Sequence, residues 1–188
     1  MTTKEDLIYR QIFTLKDGAR VLVRPLTIDD RQALLDLFVP IGPEDKRYIR
    51  HDVNDPAVVR RWVDELNYEE VLPLIAEVNH TIVGVASLHF RQGPARHRAE
   101  VRIFLAKDFR KRGVGTRMLS GLIELAKRRN LYLLEVEIVS DQSHMIKAFH
   151  NLGFETKCIL EDFFILPDGD VRDVYYLILR LHSTEHEF

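Results

Sequence analysis

The segment from residue 99 to about residue 130 places the strongest constraint on the fold. AEVRIFLA, residues 99–106, is rich in β-branched and aromatic side chains and predicts a strand. FRKRGVGTRML, residues 109–119, follows it, with Gly113 and Gly115 separated by one residue. After the glycines, apolar residues recur at helical spacing and predict an amphipathic helix. The segment therefore predicts a strand that turns through a glycine loop directly into a helix.

Basic residues crowd the point where this helix begins, although cations are ordinarily favoured at the other end of a helix. They are Arg110, Lys111 and Arg112. The first amides of a helix have no acceptor within it and bind anions, and glycines let a ligand approach the backbone. The chain lacks the string G-x-x-x-x-G-K-S/T, and a dinucleotide fingerprint would need glycine where Met118 stands. The pattern R-x-x-G-x-G therefore indicates a pyrophosphate site, with a tight turn and solvated basic side chains as the open alternative.

The composition narrows the class of ligand. A net charge of −2 and a pI near 6.4 argue against a general nucleic-acid binder, whose surface is usually strongly basic. The one cysteine, Cys158, allows no internal disulfide and suits a reducing compartment. The N-terminal MTTKEDLIYRQIF has no signal-peptide core, and no apolar run reaches the roughly 18 residues of a membrane span. We therefore expect a cytoplasmic protein that contacts neither nucleic acid nor membrane.

The other segments alternate strand and helix signals, and no linker or repeat divides the chain. Two strands joined by an Asp17-Gly18 turn come first, two helices follow, and Asn79-His80 joins a second strand pair. After the glycine-loop helix come a strand, a short helix ending near Gly153 and a closing hairpin. Residues 40–55 show no regular pattern. The order predicts one α/β (α+β) domain over residues 1–188, a mixed sheet with helices packed on it.

A strand followed by R-x-x-G-x-G and a helix resembles the acyl-CoA-binding motif Q/R-x-x-G-x-G/A of the GNAT acetyltransferase superfamily. HNLGFE, residues 150–155, is similar to the helix of that family that ends in L-G-F. The resemblance extends from RPLTIDD, residues 24–30, to the closing hairpin. It implies a mostly antiparallel central sheet of about seven strands flanked by about four helices, with the core over about residues 19–181.

The resemblance also implies an N-acetyltransferase that moves an acetyl group from acetyl-CoA directly to a primary amine. The acceptor is a small molecule or a protein, through a lysine or an N-terminus, and a CoA-binding regulatory module without catalysis is the alternative. Arg110 would brace the glycine loop, a backbone amide near Phe104 would polarise the thioester carbonyl, and Gln142 stands where asparagine is usual. The CoA-binding positions of the family correspond to Ile103, Phe104, Leu105, Arg110, Lys111, Arg112, Gly113, Val114, Gly115, Thr116, Gln142 and Phe149.

Phe149 departs from the family pattern, since many relatives have a tyrosine there that protonates the leaving thiolate. At pH 7 a thiol of pKa ~8.5 leaves as the thiolate at a cost of about 2 kcal/mol. Deprotonating an alkylammonium of pKa ~10.4 costs roughly 4.6 kcal/mol at the same pH. We therefore expect the base to matter more than the acid. Four other side chains stay open as the acid, namely Tyr175, Tyr176, His144 and His150.

Glu100 is the candidate base. It begins the strand before the glycine loop, and alternation puts it on the same face as Arg102. Several branches of the family carry a glutamate at a matching place. A solvated carboxylate, or one paired with Arg102 or Arg98, is the alternative interpretation. Glu135 and Glu137 share a face of the strand LLEVEIV and are weaker candidates.

The acceptor side is less constrained. GPEDKRYIRHD, residues 42–52, is similar to a motif of GNAT domains that acetylate protein lysines, which adds a protein acceptor to the candidates. Residues 48–50 and Trp62 are candidates for the acceptor mouth, with core packing as the alternative. Acidic residues around the last hairpin would favour a cationic acceptor. A homodimer through sheet edges or C-terminal strands, as in other family members, stays open.

The histidines do not point to a metal. Those before the polar tail show no metal-ligand spacing, and Cys158 has no second thiolate beside it in the sequence. His182 and His186, in the tail, are expected to be solvated. We therefore expect no metal site.

Overall fold

Eight strands form one sheet in the part of the chain that the computed structural model describes, residues 7–181. The strands are β1 (Gln11–Thr14), β2 (Arg20–Pro25), β3 (Val71–Val78), β4 (Thr81–Phe90), β5 (Arg98–Leu105), β6 (Leu133–Val139), β7 (Glu155–Ile165) and β8 (Val171–Arg180). Their order across the sheet is β1-β2-β3-β4-β5-β6-β8-β7. Every neighbouring pair is antiparallel except β5 and β6. The mixed, mostly antiparallel sheet predicted from the sequence is confirmed.

Five α-helices accompany the sheet within these residues, namely α1 (Arg31–Phe38), α2 (Pro43–Lys46), α3 (Pro56–Asp64), α4 (Val114–Arg128) and α5 (Ser143–Asn151). The helix beyond the expected four is α2, a single turn in the segment that shows no regular sequence pattern. Pro43 begins α2, at a position where the missing N–H has no intrahelical partner to lose. None of the helices in residues 7–181 has the length and apolarity needed to cross a bilayer. His182 and His186 lie outside the described residues.

The helices cover both faces of the sheet, because its central strands are apolar on both sides. On one face, α4 buries Met118, Leu122 and Leu125 against Leu72 and Leu88. On the other face, the apolar sides of α1 and α3 form a second cluster with residues of β3 and β4. The period of two along a strand separates these clusters, since neighbouring side chains point to opposite faces.

The tight turns take the left-handed backbone that their residues favour. Gly18 in the β1–β2 turn has φ 88°, and Asn79 and His80 between β3 and β4 have φ 47° and 64°. Such turns match the twist of the strands that they join. Gly153, with φ 91°, ends α5, and its amide donates to the His150 carbonyl at 2.9 Å. The turns predicted from the sequence are therefore present.

The parallel strands β5 and β6 are paired only over their first residues. Their pairing ends where Glu100 lies opposite Glu135. Beyond that point β5 stays paired with β4 as far as Leu105, and β6 stays paired with β8 as far as Val139. Each strand is therefore held by its outer neighbour, and a gap opens between their carboxyl ends.

The gap exposes one edge of β5. The amide of Ala106 donates to the Val83 carbonyl of β4 at 2.9 Å. Successive backbone groups of a strand point to opposite sides, so the amides of Ile103 and Leu105 point away from β4 and into the gap. The Leu105 carbonyl follows the same rule and accepts a hydrogen bond from Arg110. This edge therefore offers backbone donors to whatever enters the gap.

Gly84 of β4 lets the end of β5 lie close by, since it stands opposite Leu105. A methyl group at Gly84 would lie 2.3 Å from Leu105 Cδ2 and 3.1 Å from the Phe104 carbonyl oxygen. We predict that Gly84→Ala lowers the free energy of unfolding by about 1–3 kcal/mol, the usual cost of overpacking. Urea or thermal unfolding measures the change. Gly42→Ala is the matched control, because nothing lies within 4 Å of its added methyl group; equal stability of the two variants would contradict the prediction.

Candidate active site

A cavity of about 630 Å³ opens where β5 and β6 part. Its walls come from both sides of the gap and from the helices on the α1–α3 face of the sheet. The β4–β5 wall contributes Val85, Ser87, His89, Arg102, Ile103 and Phe104, and the opposite wall contributes Val136, Glu137, Ile138, Gln142, Met145 and Phe149. The cavity therefore connects the end of β5 with the region predicted to receive an acceptor.

Gly113 and Gly115 let α4 begin close to the end of β5. Gly113 precedes the helix with left-handed backbone, φ 85°, which disfavours any side chain. A methyl group on Gly115 would lie 3.1 Å from Leu105 Cδ1 and 3.5 Å from Ile103 Cδ1. The amides of residues 114–116 belong to the first turn, where a helix supplies no acceptor of its own. Close packing therefore sets the first turn of α4, whose amides have no helical acceptor, beside the gap.

Arg110 braces this loop instead of pointing into solvent. Its Nε donates to the Leu105 carbonyl at 2.9 Å, and its Nη1 donates to Asp45 Oδ1 at 2.7 Å. One side chain thus ties the glycine loop to the end of β5 and to α2. The bracing role that the family resemblance implies for Arg110 agrees with these contacts.

The other basic residues of the loop differ in their exposure to solvent and in their contacts with the described residues. Arg112 pairs with Asp17 and stacks over the Phe109 ring at 5.2 Å. Lys111 is exposed, with φ 58°, and Thr116 is exposed in the first turn of α4. Lys111 and Thr116 therefore face the solvent at the place where an anion would approach the amides.

Glu100 is almost completely buried, with its side chain 3% exposed, and three arginines surround its carboxylate. Arg50 Nη1 and Arg102 Nε lie 2.8 and 2.9 Å from Oε1, and Arg91 Nη2 lies 3.3 Å from Oε2. Burial opposes ionisation, but Arg102 and Arg50 outweigh it and hold the pKa of Glu100 below its usual range. Arg50 and Arg102 line the cavity, whereas Glu100 is not among the lining residues. This geometry does not favour Glu100 as the group that directly takes the proton.

The two rival glutamates on β6 are also ion-paired. Glu135 accepts from Arg91 Nε at 2.8 Å and from the Tyr176 hydroxyl at 2.7 Å, and it does not line the cavity. Glu137 lines the cavity and pairs with Arg50 Nη2 at 2.8 Å. Arg50 therefore bridges β5 and β6 just beyond the point where they part.

Two histidines and a serine give the cavity uncharged polar groups. Ser87 and His89 lie on β4 opposite Arg102 and Glu100, and Ser87 Oγ is 2.9 Å from His89 Nε2. Burial, followed by the charge of Arg102, lowers the pKa of His89 to about 4. The same two causes lower the pKa of His51, which also lines the cavity. Both imidazoles are therefore neutral at neutral pH.

Phe149 is fully buried and packs edge-on against Phe154, with ring centroids 4.9 Å apart. It lines the cavity together with Gln142, which precedes α5. Burial and Glu135 raise the pKa of Tyr176 to about 12. None of the four alternative acids lines the cavity, namely Tyr175, Tyr176, His144 and His150. Among these described side chains, the cavity wall at Phe149 therefore carries no acid.

Residues 42–53, which we call the strap, close one end of the cavity. Tyr48 donates to Asp141 at 3.0 Å, and Arg47 pairs with Asp168 at 3.0 Å. Together with the Arg50 and Arg110 contacts, these bonds tie the strap to β5, to β6 and to the β7–β8 hairpin. Residues 48–50 and Trp62, the candidates for an acceptor mouth, line the cavity. Arg47 therefore offsets the charge of the acidic hairpin residue Asp168 locally.

Sequence reasoning missed the pairing of Ser87 with His89 and the position of Met145 in the cavity wall. Alternation along TIVGVASLHF places Ser87 and His89 on one face, but the register that sets them opposite Arg102 and Glu100 is not visible in the sequence. In residues 7–181, no group of three or more His, Cys, Asp or Glu side chains is arranged to hold a metal ion.

Comparison with known proteins points to the same family as the sequence motifs. The model of the Acetyltransferase (GNAT) family matches residues 32–154, which include the glycine loop and the L-G-F helix end. An uncharacterized N-acetyltransferase of Methanocaldococcus jannaschii is 27% identical over 143 residues, 74% of this chain; the chain spans 62% of the length of that relative.

Solved structures share the fold. The GNAT domain of S. lividans PAT superposes with a TM-score of 0.74 at 20% identity, covering 96% of this chain and 99% of that one. The yncA protein of Salmonella typhimurium, solved with its cofactor acetyl-CoA, gives a TM-score of 0.72 at 19% identity, covering 88% and 96% of the two chains. With the family model matching well over half of its residues, from α1 through the end of α5, the chain belongs to the acetyltransferase (GNAT) family.

Proposed function

We propose that the protein is an N-acetyltransferase that transfers the acetyl group of acetyl-CoA directly to a primary amine. The gap between β5 and β6, with the glycine cradle at its end, carries this proposal. A pyrophosphate bound at the first turn of α4 leaves the rest of a CoA molecule room to extend along the exposed edge of β5. The cavity beyond that edge supplies space for an acceptor.

The residues present fit acetyl-CoA. The amides of residues 113–116 would hold the pyrophosphate, with Lys111 and Thr116 adding donors at the surface. The pantetheine arm would follow Ile103, Phe104 and Leu105, and the amide of Ile103 would donate to the thioester carbonyl. A donor aimed at the oxygen where negative charge develops is a strong source of rate enhancement in acyl transfer.

The acceptor enters from the strap side in this proposal. Trp62 and the strap line that end of the cavity, and the likeness of residues 42–52 to a motif of protein-lysine acetylating domains favours a lysine side chain. A small-molecule amine fits the same opening. Cys158 is exposed on β7, away from the cavity-lining residues, so the transfer uses no cysteine intermediate.

Glu100 contributes through its ion pairs in this proposal, since Arg50 and Arg102 lie between its carboxylate and the cavity side of the strand wall. Its negative charge offsets these guanidinium groups where the strands part. A buried charge that loses its partner is strongly destabilising. Glu100 is therefore proposed as the residue that positions Arg50 and Arg102, not as the proton acceptor that the sequence alone suggests.

Acetyl-CoA binding and turnover test the function. We expect acetyl-CoA to raise Tm, and thiol release to appear with at least one member of a panel of amines and lysine peptides. Stabilisation without any turnover would point to a CoA-binding regulatory module. Neither stabilisation nor turnover would remove the proposal.

Gly115→Ala tests the cradle. Its methyl group would meet Leu105 Cδ1 at 3.1 Å and push the start of α4 away from β5. We expect the Kd for acetyl-CoA to rise by about tenfold, equivalent to about 1.4 kcal/mol. Calorimetric titration measures this, with Gly42→Ala as the open-space control. An unchanged Kd would contradict binding at this loop.

Glu100→Gln tests the positioning role. The carboxylate has a pKa held below its usual range, so it is ionised from weakly acidic pH upward and its influence is constant across pH 6–9. We expect kcat/KM to fall by the same factor throughout that range and Tm to fall as well, because the arginines lose their counter-charge. A loss concentrated near neutral pH and relieved at high pH, with Tm unchanged, would instead identify Glu100 as the base.

A further inference from the structure

We propose that Ser87 and His89 form the proton-accepting pair for the acceptor amine, with Ser87 Oγ in contact with the amine and His89 Nε2 behind it. The inference rests on the proposed function and assigns a role that the sequence did not suggest. The pair is hydrogen-bonded at 2.9 Å and lines the cavity.

The strand register places the pair beside the reacting carbonyl. Ser87 lies opposite Arg102. Ile103 is the next residue of β5, and its amide points into the gap. Side chains at alternate positions of β4 and β5 share one face, so Ser87 and His89 line the same wall as Phe104. An amine that enters past Trp62 and approaches the end of β5 therefore reaches this uncharged polar pair beside the Arg102 side chain.

The charges around the pair favour loss of a proton from the amine. The titratable and charged groups that face His89 are Arg102 and Glu100 of β5, and His51 and Arg50 of the strap. Two guanidinium groups are set against one carboxylate. This local excess of positive charge around His89 disfavours an ammonium ion beside the pair and favours the neutral amine that attacks.

The basicity of His89 is adequate for this task. Burial and Arg102 lower its pKa to about 4, which keeps the imidazole in its accepting form at neutral pH. A glutamate carboxylate has an ordinary pKa of about 4.3, so an imidazole shifted this far accepts a proton about as readily as an ordinary glutamate carboxylate. Glu100 raises the pKa of His89, which gives the positioning role of Glu100 a direct chemical consequence.

The transfer balances as follows. The nitrogen lone pair of the amine forms a bond to the thioester carbon, and the carbonyl π pair moves to oxygen, where the Ile103 amide donates. The nitrogen gives a proton to Ser87 Oγ as Ser87 gives its own proton to His89 Nε2. The carbonyl then re-forms, the C–S pair leaves with sulfur, and the imidazolium proton returns through Ser87 or solvent to the thiolate. The products are an amide and the free thiol.

His89→Gln is the main test, because glutamine keeps hydrogen bonding but takes no proton. We expect kcat/KM to fall by about 10²–10⁴, the range for loss of a general base, with Tm and the Kd for acetyl-CoA near wild type. Ser87→Ala should lower kcat by a smaller factor. His89→Ala should regain activity when imidazole is added, a response that a merely structural histidine would not give.

Matched variants make the test decisive. His80→Asn removes a histidine whose side chain is 99% exposed in the β3–β4 turn and should leave kcat/KM unchanged. Glu137→Gln removes the rival carboxylate of the cavity and should cost less than His89→Gln. An active wild type with an unaffected His89→Gln variant, or a larger loss in Glu137→Gln, would overturn the assignment. No turnover by the wild type would instead remove the proposed function itself.

Discussion

The short pairing of β5 with β6 is the constraint on which the site depends. Two parallel strands in mid-sheet usually stay bonded along their length, because each unpaired amide and carbonyl in a buried position carries a cost. Here the bonds stop after Glu100 and Glu135, while β4 and β8 continue to hold the outer edges of the two strands. The gap therefore does not interrupt the pairing of either strand with its outer neighbour. It leaves backbone donors of β5 free for a ligand that would lie along this edge as an added strand does.

The ion-paired cluster at the start of the gap follows from that parting. Glu100 and Glu135 end the pairing side by side, and two adjacent buried carboxylates repel each other unless cations separate them. Arg91 contacts both, and Arg50 reaches from the strap to Glu100 and Glu137. The cluster thus supports the point of divergence and at the same time sets the electrostatic surroundings of the cavity.

Much of the fold could be predicted because its signals are local. The glycine loop, the Asn79-His80 turn and the end of α5 at Gly153 are each determined by a few adjacent residues whose backbone conformation few others adopt. The environment of Glu100 could not be predicted in this way. Arg50 lies fifty positions earlier in the chain, and it reaches Glu100 only because the strap folds across the sheet. A strand position shows which face a carboxylate occupies, but not which distant cations will meet it.

The distinction between local sequence signals and long-range contacts also applies to the candidate site. The glycine loop is recognised from adjacent residues, and its proposed role rests on backbone groups, whereas the proposed proton transfer depends on which side chains meet in space. With Phe149 apolar and Glu100 enclosed by arginines, the remaining polar groups of the β4–β5 wall are uncharged or cationic. In the proposed reaction, a wall of that kind would favour a neutral amine and a weakly basic acceptor for its proton. A CoA thiolate would leave at low cost at neutral pH, so in the proposed transfer the protein needs to assist the amine far more than the leaving group.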